Sequence, residues 1–377
     1  MTKLRRIIVF CSDPDDWGDG RVLSILLEGL LARGFEVHYI CCGHLSILPN
    51  TQLIAHVPYK KRWRANSLGF SLYALVKFLQ LVCTQRFTAI ISFRKRGVCL
   101  AKLSSLISWV PIYLFVDHVP WKRAEIQQRK RWFRYLWCLG SVFCISSAHR
   151  VLSSSSVIAA QIKSKLPGFL HSRVIVVPFL FSSDVQNLFD DSDRDARTTI
   201  IEHSGFSDRG FILASIGDFD ALEPTQYLLR TLAAVEDRSV FLLVLGDGQL
   251  RSSILSIAVS LGLLDHVYFA GRSEMSLELL SGSDLIIVPS LNHGVSYLLT
   301  RSLGLGVPML VGDNEEMAEV FPNDLLRYKP LHVEKLVQTL IAHKKSRELR
   351  EQNVELLKEC AEKFEGDWVE TVADLLP

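Results

Sequence analysis

"FLLVLGDGQLRSSILSIAVSLGLLDHVYFAGR" spans residues 241–272. It reads as a buried strand, a Gly-Asp-Gly turn at 246–248, a helix that Gly262 stops, a second strand from Val267 and a last turn at Gly271. A continuous apolar run, a glycine turn and a helix form the repeating unit of a parallel sheet covered on both faces. The unit recurs outward, in "FILASIG" from residue 211, "DLIIVPS" from 284 and "PMLVGD" from 308. The first half carries it too: "RRIIVFC" from 5, "FEVHYICC" from 35, "TAIISF" from 88, "PIYLFVDH" from 111, "RVLSSS" from 150 and "RVIVVPF" from 173. Between the first two of these, Val22, Leu23, Ile25, Leu26, Leu30 and Leu31 share one helix face, and Gly34 ends the helix.

At 377 residues the chain exceeds one ordinary core, so two doubly wound domains in series are expected. Residues 182–210, polar and acidic, read as the linker between them. With 49% apolar residues the composition is that of a compact globular protein. A net charge of +2 hides an asymmetry. Of 42 Lys+Arg and 40 Asp+Glu, residues 1–180 hold 25 and 8 and the remainder 17 and 32, so the halves carry +17 and −15. A basic half of this size implies an anionic partner. The eight cysteines form no CxxC pair and read as reduced core residues rather than zinc ligands, so no metal is expected. The apolar run in "MTKLRRIIVFCSDPDD" is too short for a signal peptide. "SLGFSLYALVKFLQLVC" at 67–83 has Lys77 inside it and falls short of a membrane span.

The joint order of Gly246-Asp247-Gly248, Gly262-Leu263, Val267, Gly271-Arg272, Asp284, Pro289-Ser290, Gly294 and Gly306-Val307-Pro308 resembles the C-terminal domain of GT-B glycosyltransferases of the family 4 type. "WGDGRVLSILLEGLLARGFEVHYI" is similar to that family's first glycine-bearing loop and helix. The resemblance implies an α/β, GT-B fold: two Rossmann-like doubly wound domains facing a central cleft. It implies an N-terminal, acceptor- and membrane-facing domain over 1–185, a donor-type domain over 186–361, and a C-terminal helix at about 362–377 that packs back on the first. Taken singly, Gly246 and Gly248 also suit an ordinary strand-to-helix turn, Gly262 a helix cap and Pro308 a strand start.

Such enzymes stabilise the departing diphosphate of a nucleotide-sugar with preorganised cations and backbone N–H groups. The resemblance places an Arg and a Lys after the first strand of the donor domain, where this chain has Gly217-Asp218 and Glu223. A carboxylate there opposes a phosphate by about 1–4 kcal/mol per charge pair. The family's two glutamates, eight positions apart, fall on His293 and Arg301, and its glycine pair falls on Glu315 and Glu316, with Glu319 kept. Two readings stand: a rebuilt donor site in which Arg301, with His293 or Arg272, supplies positive charge, or a site that has lost its donor. Arg301 could equally be a solvated helix residue paired to Asp218 or Glu223. The donor cleft would comprise Gly217, Asp218, Glu223, Gly246, Asp247, Gly248, Arg272, His293, Gly294, Arg301, Glu315 and Glu319.

At the end of "LFVDHVPW", Asp117 and His118 occupy the carboxyl end of a buried strand, where ligands bind in open α/β sheets. The resemblance makes His118, with Asp117, the catalytic candidate; Gly18 and Gly20 would let the first loop approach an acceptor. Two clusters, Lys60, Lys61, Arg62, Trp63 and Arg64, and Arg129, Lys130, Arg131 and Trp132, mix bases with aromatics as an anionic membrane interface requires. No nucleic-acid module is present. The expected activity is transfer of a sugar, probable in its retaining form by resemblance, from a nucleotide donor to a glycan or lipid-linked acceptor, without a metal cofactor, at the cytoplasmic membrane face. The alternative is an inactive GT-B protein that partners an active glycosyltransferase.

Overall fold

The computed structural model describes residues 5–11, 19–41, 53–56, 68–93, 109–116, 139–143, 145–180, 193–216, 222–246, 248, 250–271, 276–289 and 297–377. The chain falls into two compact units, Met1–Phe179 with Asp367–Pro377, and Leu180–Gly366.

The strands of the first unit are β1 (Arg5–Phe10), β2 (Phe35–Ile40), β3 (Leu53–His56), β4 (Ala89–Ser92), β5 (Ile112–Val116), β6 (Arg150–Ser153) and β7 (Val174–Val176). They run parallel in the order β3-β2-β1-β4-β5-β6-β7. The apolar runs of the sequence account for all but β3, a four-residue edge strand held by the register Val37↔Leu53 to Ile40↔His56. One face of the sheet presents Ile8, Phe10, Ile90, Ile112, Leu114 and Val151. Over it lie α2 (Leu68–Thr84), the helical residues 139–143 and 145–147, and α3 (Ser156–Lys163), which contribute Ala74, Phe78, Ile145, Ile158 and Ile162 to the same core. Cys83 departs from the core reading of the cysteines: it is exposed, on the side of α2 away from Ala74, Phe78 and Leu81.

Against α1 (Asp19–Ala32) packs the last helix, α12 (Trp368–Asp374). Leu23, Leu26, Leu27 and Leu30 of α1 are buried, and Gly34, at φ 80°, ends the helix in a conformation that favours glycine. A Cβ on Gly29 would stand 2.6 Å from Val369 Cγ1, so glycine at this position lets α12 approach. Asp367 caps α12 by accepting from the Glu370 N–H (2.9 Å) and pairs with Arg33. Trp368 meets the rings of Phe115 and Phe179 at centroid distances of 5.6 and 5.4 Å.

In the second unit β8 (Phe211–Ile216), β9 (Val240–Leu245), β10 (Val267–Gly271), β11 (Leu285–Val288), β12 (Met309–Gly312) and β13 (Arg327–Tyr328) form a parallel sheet, ordered β10-β9-β8-β11-β12-β13. Every residue of β8, β9, β11 and β12 is buried, as strands covered on both faces require. The helices in chain order are α4 (Asp193–Ser204), α5 (Leu222–Ala234), α6 (Arg251–Ser260), α7 (Ser276–Ser281), α8 (Tyr297–Ser302), α9 (Glu315–Val320), α10 (Val333–Lys345) and α11 (Arg347–Ala361).

Helix α4 corrects the linker reading of 182–210. Residues 193–204 belong to the second unit and pack on α7. Ala196 and Ile200, one turn apart, are its buried side. Arg197 fixes the helix to the sheet by donating to Asp284 (3.1 Å) and to the Gly210 carbonyl (2.7 Å), while Asp284 also accepts from the Ile212 N–H (2.8 Å). Buried Asn353 of α11 accepts from the Met309 N–H (2.8 Å) and donates to the Met309 carbonyl (3.1 Å), so its amide closes the backbone pairing at the start of β12.

Candidate active site

In parallel α/β sheets the loops at the carboxyl ends of the strands carry the chemistry. In the second unit the turn after β9 is fixed by the Gly246 N–H, which donates to the Gly271 carbonyl at 3.0 Å and so ties the carboxyl ends of β9 and β10 together. Gly246 lies at φ 153° and Gly271 at φ 72°, both on the side of backbone space that side chains disfavour. Arg251 N–H donates to the Gly248 carbonyl (3.2 Å) and opens α6, whose N-cap residue, Leu250, supplies no side-chain cap. The Arg251 guanidinium sits beside Gly271: its Nη1 is 3.5 Å from where a Cβ of that glycine would be. A cation is therefore held at the carboxyl edge of the sheet, on a residue that the sequence reading passed over. Its signal was its position, three residues after Gly248, in the first turn of a helix that follows a glycine turn.

Arg301 lies in the last turn of α8, half-buried, on the element that follows β11. Glu223 is in the first turn of α5 and Gly20 in the first turn of α1, each with its backbone alone described. Gly18, Lys60, Lys61, Arg62, Trp63, Arg64, Asp117, His118, Arg129, Lys130, Arg131, Trp132, Gly217, Asp218, Asp247, Arg272, His293 and Gly294 lie outside the described residues.

At the carboxyl end of β12, Asn314 caps α9: its Oδ1 accepts from the N–H groups of Glu316 and Met317, both at 3.0 Å. The two N–H groups that the family's glycine pair would turn toward a donor are thus engaged by the chain itself. Glu315 and Glu319 are exposed and Glu316 is buried. Two acids in the first turn suit the helix dipole, which is a structural reason for Glu315 and Glu316. Asp313 pairs with Arg327 (3.1 Å). Asp284, one of the residues that carried the resemblance, lies at the opposite, amino end of β11 and is structural. Gly262, at φ 67°, stops α6.

A cavity of about 580 Å³ lies at the amino side of β12, lined by Gly306, Pro308 and the charged face of α11 from Arg347 to Lys358. That edge is the one away from the glycine turns, so the cavity is separate from the candidate site. Among the described residues no three His, Cys, Asp or Glu side chains gather as a metal centre would need, and no helix is long and apolar enough to cross a membrane.

Two parallel doubly wound units in one chain make a GT-B protein, and solved structures carry the same fold over nearly the whole length. Sucrose-phosphate synthase from Thermosynechococcus elongatus aligns over 98% of each chain with a TM-score of 0.78 at 14% identity. HepE of Anabaena, in complex with UDP, aligns over 99% of this chain and 98% of its own, with a TM-score of 0.73 at 11% identity. Residues 196–358, which include the glycine turns, Arg251, Arg301 and α9, match the model of the family described as Glycosyl transferases group 1. N-acetyl-alpha-D-glucosaminyl L-malate synthase of Bacillus anthracis is 29% identical over 114 residues, 30% of each protein. Matches to curated relatives span 26 to 46% of those proteins' lengths.

Proposed function

We propose that the protein is a glycosyltransferase that moves a hexose from a nucleotide-activated donor to a glycan or lipid-linked acceptor, with retention at the anomeric carbon and without a metal ion. The observation that carries the reading is the carboxyl edge of the second sheet. There, glycine turns after β9 and β10, the cation Arg251 and the helix carrying Arg301 fall within the segment that matches a glycosyltransferase family, and HepE of similar fold is described with UDP.

In this reading the donor's diphosphate faces Arg251 and Arg301, with Arg272 and His293 as further cationic groups, instead of the Arg and Lys whose places Asp218 and Glu223 take. Preorganised guanidinium groups stabilise the charge that grows on the leaving diphosphate. His118, oriented by Asp117, faces the transferred sugar, and Gly18 and Gly20 allow the acceptor to approach. The protein works at the cytoplasmic membrane face, where its basic half meets anionic lipid.

The test is donor turnover. Wild-type protein is incubated with UDP-, GDP- and ADP-hexoses and a membrane fraction, and released nucleoside diphosphate is measured. One donor is consumed, and Arg251→Ala and Arg301→Ala each slow its consumption by on the order of 10²-fold, as for loss of a preorganised group at a developing anion. Intact donors throughout would instead support a partner protein without catalysis.

A further inference from the structure

One layer of the first unit stands apart in its surface chemistry. α2, the helical residues 139–143 and 145–147, α3 and the 3₁₀ turn Gly168–Arg173 all feed one core on the same face of the sheet, through Ala74, Ile145, Ile158 and Leu170. Their outer side carries large apolar groups in water: Leu72 is 63% exposed, Val76 56%, Phe143 69% and Phe169 80%. Trp109, next to the core residue Val110, is 91% exposed and lies at φ 58°. A bulky residue in left-handed backbone is strained, so that surface holds its indole outward at a cost.

The charges on this layer have one sign. Lys77, Arg86, Lys163, Lys165 and Arg173 lie within described residues 68–93, 109–116, 139–143 and 145–180, which contain no Asp or Glu at all. The opposite face of the same sheet is covered by α1 and α12, which carry Glu28, Asp367, Glu370 and Asp374. The unit is therefore basic and aromatic on one side and acidic on the other. Scattered exposed apolar residues are ordinary, but two phenylalanines and a tryptophan among bases without a carboxylate are not.

We propose that this helical layer is the surface by which the protein lies on an anionic bilayer. Trp109, Phe143 and Phe169 enter the headgroup region, Leu72 and Val76 add apolar contact, and the lysines and arginines meet lipid phosphates. The acidic layer then faces away from the membrane, which sets the orientation. The sheet runs along the bilayer about one helix diameter, ~10 Å, above it, so the carboxyl ends of its strands come within reach of a lipid-linked acceptor. That last consequence rests on the glycosyltransferase reading; the docking surface does not.

Vesicle co-sedimentation tests it, with phosphatidylcholine vesicles and with vesicles that also contain phosphatidylglycerol. Wild-type protein binds the anionic vesicles and leaves the neutral ones. Phe143→Ser with Phe169→Ser, and separately Lys163→Glu with Lys165→Glu, each weaken that binding by about tenfold or more, with unchanged thermal midpoints. These positions are exposed or half-exposed, so a fall in vesicle binding at constant midpoint reads the surface rather than the fold. Equal binding to both vesicle types, or full binding by the Phe143/Phe169 variant, overturns the proposal. So does a dimer, seen by sedimentation velocity, that this variant dissolves, because the face would then cover a second copy. If binding survives in that variant but is lost on Lys60→Glu, Lys61→Glu and Arg62→Glu together, docking uses that cluster and not this layer. Nucleotide-donor turnover, measured without vesicles, reports on the catalytic reading independently.

Discussion

Asn314 decides what the start of α9 can do. Its side chain takes the two N–H groups that a donor would otherwise use, so any donor contact there must come from side chains or from other loops. Replacing a capping Asn by Ala costs about 1 kcal/mol; Asn314→Ala should lower the urea midpoint accordingly at unchanged slope. The signal was in the sequence, an Asn followed by two glutamates before an apolar residue, but the comparison with glycines at those positions drew attention to the side chains lost rather than to the cap gained. Arg251 was passed over for a similar reason. Its role depends on Gly271, twenty positions away in sequence, and only folding brings the guanidinium beside that backbone.

At the scale of elements, the parallel sheets were legible because their strands are buried on both faces and so read as continuous apolar runs. Helix α4 was not. It offers a narrow buried side, and its fixation comes from contacts distant in sequence: Arg197 with Asp284, and the backbone of α4 against Gly282. A Cβ on Gly282 would lie 2.6 Å from Arg197 N and 2.7 Å from the Ala196 carbonyl carbon. Both are backbone atoms, which cannot swing aside. Gly282→Ala should therefore destabilise the second unit by about 1–3 kcal/mol, as overpacking does, and calorimetric melting would show it. Likewise β3 was missed because a four-residue edge strand carries too short an alternation to stand out.

At the scale of the whole molecule, the last helix returns to the first unit, and Asp367 secures it. Burial pushes the Asp367 carboxyl up, but the N–H of Glu370 and the Arg33 guanidinium outweigh that and hold it below the usual carboxylate range. A folded-state pKa below the unfolded one stabilises at pH above the unfolded value, near 3.9, and the benefit fades as pH falls through the folded value. The stability gap between wild type and Asp367→Asn should be present at neutral pH and shrink below about pH 4, as read by denaturant titrations at several pH values.

The site itself was legible as a place and not as a chemistry. Glycine turns announced where the second sheet opens, while the replaced acids and bases left the donor open, since charge balance in a cleft depends on which loops meet. Isothermal titration calorimetry of the purified protein with UDP, GDP and ADP addresses that point directly. The account predicts that one nucleotide binds in the micromolar range and that Arg301→Ala and Arg251→Ala each weaken it by about tenfold or more, the value of a charged hydrogen bond. Absence of binding by all three nucleotides up to millimolar concentration would contradict a nucleotide-sugar donor.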